Sequence, residues 1–526
     1  MQNHLEIRTP KPTFKPSVVS WLRSSFSGLA IWAAVVALVS SATLIADDKP
    51  SDSADAYAER AGLEPLSPAQ KVAMSAVDRR AAELCDVNQQ IWKLAEVGLQ
   101  EHKSSAILRD KLKAAGFTIE EGVAHMPTAF VASYGSGKPV IGILAEYDAL
   151  PGLSQKVAPV RDPLAEGQAG HACGHSGLGT GALGAALAVK EAMEKHQLPG
   201  TLRLYGTPAE ETVIGKIYMA LDGQFKDLDI CLHWHPSSKN EAWSGSSKAV
   251  VSAKFTFRGT ASHASVSPEK GRSALDAVEL MNVAANYMRE HIKEDARIHY
   301  VVTNGGGAPN VVPETATVWY FVRADDHKDV EYNFRWLQDI AKGAALMTRT
   351  EMSVQVDTDC HEIIPNQPLA QLVYQNMVRI GAPGFSEEEK AFARRLQEPL
   401  TAAFGTTFSE AIDERIHRIP AKLEPSSGST DVGDVSWQVP TGGLRTACFA
   451  AGSPGHSWQN VAAIGSSIGE KGTIYAAKVL AATAIDLLER PSLVEAAAHD
   501  FREQMQDRKY FSFITEGQKA PHKIRE

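Results

Sequence analysis

Between positions 171 and 175 the chain places two imidazoles and a thiol, in His171-Ala-Cys173-Gly-His175. Histidine nitrogen and cysteine sulfur are donors of the softness that a transition metal such as zinc accepts. The alternative is a packed thiol beside hydrogen-bonded histidines, because free cysteine behaves as a small hydrophobe. Two or three donors do not close a site, so the decision rests on what other segments bring. Apolar runs that read as strands lead into Glu210-Glu211, into His233-Trp-His235 and into the segment that carries His456. In an open α/β sheet the carboxyl ends of the strands line one crevice, where ligands bind, so donors far apart in sequence can meet there. Thiol, imidazole and carboxylate together suit zinc, or manganese where oxygen donors dominate. Of two adjacent glutamates, one can ligate while the other takes a proton from water, whose pKa a bound metal lowers to about 7. Standing alone, Glu210-Glu211 also fits a solvated helix start. His233 and His235 are two apart and share a strand face; His235 is favoured as the donor, and His171 as a residue behind the donors.

The elements that must position these residues follow from periodicity. Apolar residues recur at helical spacing over 69–97, and a second helix is expected over 104–115 before Gly116. Strands are expected at 129–134, 140–145, 201–205 and 228–232, with helices at 177–196 and 214–221 between them. Strand and helix alternate, which argues an α/β layer with a largely parallel sheet flanked by helices. The run from Gly177 to Val189 has small residues at helical spacing; with no Lys-Ser/Thr after its glycines, it points to close helix packing rather than phosphate binding. From about 248 the order becomes strand, helix, strand, strand, helix, strand, the split β-α-β arrangement of a small α+β, ferredoxin-like domain. It reads as an insertion over 248–365, because helices near 368–379, 386–397 and 467–489 and a strand at 447–451 resume the α/β pattern. The catalytic layer is thus expected in two parts, 69–247 and 366–496, with a charged tail at 497–526.

At 526 residues the chain is long for one core. A net charge of −9 argues against non-specific nucleic-acid binding. The five cysteines are spread widely, form no C-x-x-C pair and make no disulfide framework. Arg8, Lys11, Lys15 and Arg23 precede an uncharged run over 24–46 that ends before Asp47. Residues 1–46 read as an export signal cut near Ala42, followed by a linker over 47–68. A retained membrane anchor over 24–46 is the alternative, and either places the bulk of the chain outside.

The order His-x-Cys-Gly-His, Pro-x-Glu-Glu, strand-end His-Pro and a late glycine-flanked His resembles the aminoacylase/carboxypeptidase family of two-metal peptidases. The likeness extends over roughly 70–500 and includes Glu146-Tyr147-Asp148-Ala-Leu150, Gly271-Arg272-Ser-Ala-Leu, Pro309-Asn310-Val-Val-Pro313 and Ser429-Thr-Asp431-Val-Gly-Asp434. It implies a metal-dependent amidohydrolase that cleaves N-acyl- or aroyl-amino acids or small dipeptides. Two divalent ions, zinc or manganese, would be held by Cys173, His175, Glu211, His235 and His456, with Cys173 as the bridge. Glu210 would be the general base and then the acid that protonates the departing amine. The inserted domain would be a lid and dimerisation domain, pairing the chain with itself or with a related subunit. His263 would reach a partner's site to stabilise the oxyanion, and Asn310 and Arg323 would hold a substrate carboxylate. Many relatives carry His-x-Asp where this chain has Glu146-Tyr147-Asp148, and Ser176 follows His175 where near relatives have Asn or Asp. A non-catalytic binding or partner subunit that retains the fold is the alternative of a different class.

Overall fold

Ser67 and Pro68 open the first helix for a local reason. The Ser67 side chain accepts from the Gln70 backbone while the Gln70 side chain caps Ser67 in return, and Pro68 sits where its missing N–H costs nothing. The computed structural model describes residues 62–421 and 428–521. The signal or anchor segment and most of the expected linker lie outside them. Among the described residues, no helix is long and apolar enough to cross a membrane.

In chain order the first part comprises α1 (Pro68–Leu94), α2 (His102–Ala114), β1 (Thr118–Glu121), β2 (Phe130–Ser136), β3 (Val140–Ala145), α3 (His175–His196), β4 (Gly200–Gly206), α4 (Gly215–Leu221), β5 (Ile230–Ser237) and β6 (Asn240–Trp243). Next come β7 (Ala249–Arg258), α5 (Ala274–Met288), β8 (Arg297–Asn304), β9 (Thr315–Ala324), α6 (His327–Thr348) and β10 (Glu351–Cys360). The last part holds α7 (Gln367–Ile380), α8 (Glu387–Phe404), β11 (Ile416–His417), α9 (Val432–Ser436), β12 (Thr441–Ala447), α10 (Trp458–Ile464), α11 (Ser467–Glu489) and α12 (Pro491–Met505).

Eight strands form one sheet in the order β1-β2-β4-β3-β5-β12-β6-β11. Its centre, β4-β3-β5-β12, is parallel, and antiparallel pairs lie to either side. The apolar run of β3 is buried at every position, as a strand covered on both faces requires. Helix α3 crosses this sheet against α1 and α11. Its glycines set how closely it can lie: a Cβ on Gly181 would meet the Trp234 ring at 2.7 Å, and one on Gly184 would meet Leu84 at 2.8 Å. The glycine series is therefore a packing surface.

The other four strands form an antiparallel sheet, β10-β7-β9-β8. Alternation is regular in β9, where Ala316, Val318, Tyr320, Val322 and Ala324 are buried and the intervening residues are half-buried. Helices α5 and α6 pack on this sheet, and β8 is left as its edge.

Two expected strands are displaced. The one placed at 228–232 runs from Ile230 to Ser237, because pairing with β12 continues to Ser237, so His233 and His235 lie within the strand. The one placed at 447–451 is instead β12, upstream. Gly442 and Gly443 disguise it as a turn, yet they are glycine because Leu369 and the His233 ring occupy the space a Cβ would need. Helix α8 also continues through Pro399 to Phe404, where a stop near 397 was expected.

Beyond α12 the tail is a strap. The Tyr510 hydroxyl donates to Asp434 at 2.8 Å, the Phe513 amide to Asp359 at 2.5 Å, and Gln518 Nε2 to the Val356 carbonyl at 2.8 Å. It ties the end of β10 to α9, beside the stacked rings of His327 and His361 (centroids 3.7 Å apart). Tyr510→Phe keeps the ring but leaves a buried carboxyl short of a donor. It is expected to lower stability by about 1–2 kcal/mol, read as an earlier denaturant midpoint.

Candidate active site

Cys173 and His175 flank a turn that enters α3 at Gly174. Gly174 has φ 87°, and a Cβ there would lie 2.8 Å from Pro236, so only glycine brings the two donors this close to β5. His175 is fully buried. Its Nδ1 faces Asp148 Oδ1 at 2.9 Å, which leaves Nε2 aimed into the crevice, 3.3 Å from Glu146 Oε2 and 3.8 Å from Glu210 Oε2. Asp148 uses its second oxygen to accept from the Glu211 amide at 2.9 Å. One carboxylate thus orients both a histidine and the glutamate pair, the outer-shell arrangement that fixes which nitrogen faces a metal.

Glu210 and Glu211 form a single tight turn after β4. It is entered at Ala209 (φ 58°) and left at Val213 (φ 56°), left-handed conformations that a non-glycine residue, and above all a β-branched one, adopts only under constraint. His456 is likewise left-handed (φ 55°), and its Nε2 lies 3.4 Å from Glu211 Oε2. Backbone strain gathers around the donors. The Ala209 amide is held at 2.8 Å by Glu101, a buried carboxyl at the start of α2.

From β5, His235 Nε2 reaches Cys173 Sγ at 3.3 Å while its Nδ1 donates to the Pro236 carbonyl at 2.7 Å. That bond leaves Nε2 as the free lone pair. Burial and His175 push its pKa down to about 4, so the ring is neutral, as a ligand must be. His233 lies over Gly443 and against the Trp243 ring at 4.5 Å, and it belongs to no donor group among the described residues. His171 is buried too, with Nε2 at 3.1 Å from the Ile91 carbonyl.

The donors resolve into groups whose ligand atoms lie within 4.8 Å of one another. One is Cys173, His175 and His235; another is Cys173, Glu211 and His456; a third is Glu146, His175 and Glu210. The first two share the thiol. These residues fit a metal on their own chemistry. His175 Nε2 has no hydrogen-bond partner among the described residues. Burial, with Glu211 next, pushes the Cys173 thiol up, and burial, with Glu146 next, pushes the Glu210 carboxyl well up. Acids crowded this way lack cationic charge, which a metal supplies.

The cleft over these groups measures about 650 Å³, and its wall also carries Arg323. His263 and Asn310 lie outside that cleft, joined through the His263–Val311 bridge and the Ala264 amide to the Asn310 carbonyl.

Sequence reasoning missed Lys216. It has no exposed surface, and its Nζ sits 2.7 Å from Glu146 Oε1 and 2.6 Å from Asp431 Oδ1. The ammonium holds one oxygen of Glu146, so the other faces His175. A lysine on the inner face of α4, five residues past the glutamate pair, was the available signal.

The crevice, its donor set and the sheet that carries them define a metal-dependent amide hydrolase. The chain belongs to the peptidase family M20/M25/M40, which its residues 142–353 match. It is 39% identical to the B subunit of p-aminobenzoyl-glutamate hydrolase from Escherichia coli (strain K12), over 81% of this chain and 94% of that one. It is 28% identical to Xaa-Arg dipeptidase of Mus musculus, over 82% and 91%. A solved dinuclear metal-binding M20 peptidase from Bacillus subtilis shares the fold, with a TM-score of 0.51 and 16% identity over 78% of this chain and 99% of that one.

Two outcomes follow from the charges. Lys216→Met strands two buried carboxylates and is expected to cost about 3–5 kcal/mol, seen as a large fall in melting temperature. Burial, then Asp148, pushes Glu101 up to about 8 from 4.5. The folded state therefore holds that proton more tightly than the unfolded chain, so Glu101 erodes stability as pH rises from about 4.5 to about 8. The melting-temperature difference between Glu101→Gln and the parent protein should favour the variant more at pH 8.5 than at pH 5.

Proposed function

We propose that this chain hydrolyses the amide of an N-acyl- or aroyl-amino acid that bears a free carboxylate, a p-aminobenzoyl-glutamate-like substrate or a small dipeptide. The observation that carries the reading is the pair of donor groups that share Cys173, with Glu210 beside them. Cys173, His175 and His235 would hold one zinc or manganese ion, and Cys173, Glu211 and His456 a second. Bound there, such ions would supply Lewis acidity toward the carbonyl and lower the pKa of water toward neutral pH. Glu210 is the carboxyl of the pair left out of both groups; it takes the water's proton and hands it to the departing amine nitrogen. Arg323, whose guanidinium donates to the Ser429 hydroxyl at 3.3 Å, holds the substrate carboxylate from the lid, 248–365.

His263 and Asn310 stand on the lid away from this cleft, where they serve the cleft of a second copy of this chain or of a related protein. Exposed Leu280, Val283 and Tyr287 on α5, with Tyr300, Val301 and Val302 on edge strand β8, support a contact between subunits on that face. The basic and apolar succession over 1–46 supports export. In an oxidising compartment, bound metal would protect the Cys173 thiolate.

Glu210→Gln is expected to cut amine release from a panel of acyl- and aroyl-amino acids by at least about 100-fold while metal content stays at the parent level. Retained turnover would remove Glu210 from the reaction. Cys173 should resist alkylation in the metal-loaded protein and react after chelation; a thiol indifferent to chelation argues against ligation.

A further inference from the structure

The lid's strand β9 presents three successive same-face residues to the cleft: Trp319, Phe321 and Arg323. The rings of Trp319 and Phe321 meet edge to face, with centroids 5.4 Å apart and planes at 80°. Trp319 is fixed by its Nε1–H, which donates to Ser252 Oγ at 2.8 Å, and Lys254 lies over its ring at 5.2 Å. The Arg323 guanidinium sits 5.4 Å from the Phe321 centroid, and no carboxylate among the described residues pairs with it. Across the cleft the other lining arginine, Arg445, is already neutralised by Glu241 at 2.8 Å. Among the described residues, Arg323 is thus the arginine of the cleft that remains open to an anion, with an immobilised aromatic surface beside it on the same wall.

We propose that Trp319 and Phe321 form an aryl subsite that selects amides with a flat aromatic acyl group over aliphatic ones. This rests on the hydrolase reading above and names the acyl class that reading leaves open. Spacing supports it. Same-face neighbours on a strand stand about 7 Å apart. Standard bond lengths put the ring centre of an aroyl-amino acid about 6 Å from its α-carboxylate carbon. With the carboxylate on Arg323, the ring falls at Phe321, and a para substituent extends toward Trp319. An acetyl group reaches neither ring.

Benzoylglutamate and acetylglutamate separate the acyl class from everything else in the substrate. With the parent protein, kcat/KM should favour benzoylglutamate; Trp319→Leu and Phe321→Leu should each lower that preference about tenfold with little change for acetylglutamate. Trp319→Phe should restore part of it. Binding of both ligands to metal-loaded Glu210→Gln, by calorimetry, gives the same comparison without turnover. The aryl subsite is overturned if the ratio of the two ligands, in turnover or in binding, is unchanged by both leucine variants. Aryl-dependent binding to a parent protein that cleaves neither amide would instead defeat the hydrolase reading and leave the subsite standing.

Discussion

Everything in the crevice depends on how negative charge is compensated away from water. Glu146, Asp148, Glu210, Glu211, Asp431 and the Cys173 thiol converge there, and most have almost no exposed surface. Charges so placed are tolerated only when paired. Among the described residues, Lys216 is the fully buried lysine that meets them, held between Glu146 and Asp431 and outside the cleft lining. On the cleft side the donors are turned toward one another instead: His175 Nε2, His235 Nε2, Cys173 Sγ and the Glu211 carboxylate. That asymmetry fits a metal site rather than an ion-pair network. The lysine settles the scaffold carboxylates, and the remaining donors are left for an exchangeable cation.

The same constraint explains the backbone. Left-handed Ala209, Val213 and His456, and the tight approach at Gly174, are conformations that helices and strands do not supply. They are held because the surrounding hydrogen bonds over-determine them: Glu101 on the Ala209 amide and Asp148 on the Glu211 amide. Strain is thereby confined to the few residues that must aim a donor, while β3, β4, β5 and β12 stay regular beneath them.

That these residues converge on one crevice was legible in the sequence because polar residues after apolar runs are conspicuous, and because crevice geometry follows from a parallel sheet. The four-stranded sheet was legible because β9 and the second half of β7 alternate, one face buried more deeply than the other. What stayed hidden was hidden for physical reasons. β12 was missed because two of its residues are glycines whose role is to leave room for other side chains. Sequence spacing cannot choose between His233 and His235, which share a face; the room over Gly443 takes the first ring and leaves the second beside Cys173. Lys216 was missed because its partners, Glu146 and Asp431, come from distant segments, and its place five residues past the glutamate pair was the one local sign of it.

Chemistry and recognition are divided between the two sheets. The donors stand on strand ends and turns of the eight-stranded sheet, each braced by further hydrogen bonds, because a catalytic centre loses function with small displacements. The recognition proposed above falls to one face of β9, where period-two alternation spaces the side chains evenly without strain. A face so built can be altered one residue at a time without disturbing the buried alternate set, Val318, Tyr320 and Val322, on the sheet that α5 and α6 cover. Specificity can therefore vary on this wall while the charge balance around Lys216 stays fixed, since its partners, Glu146 and Asp431, stand outside β9.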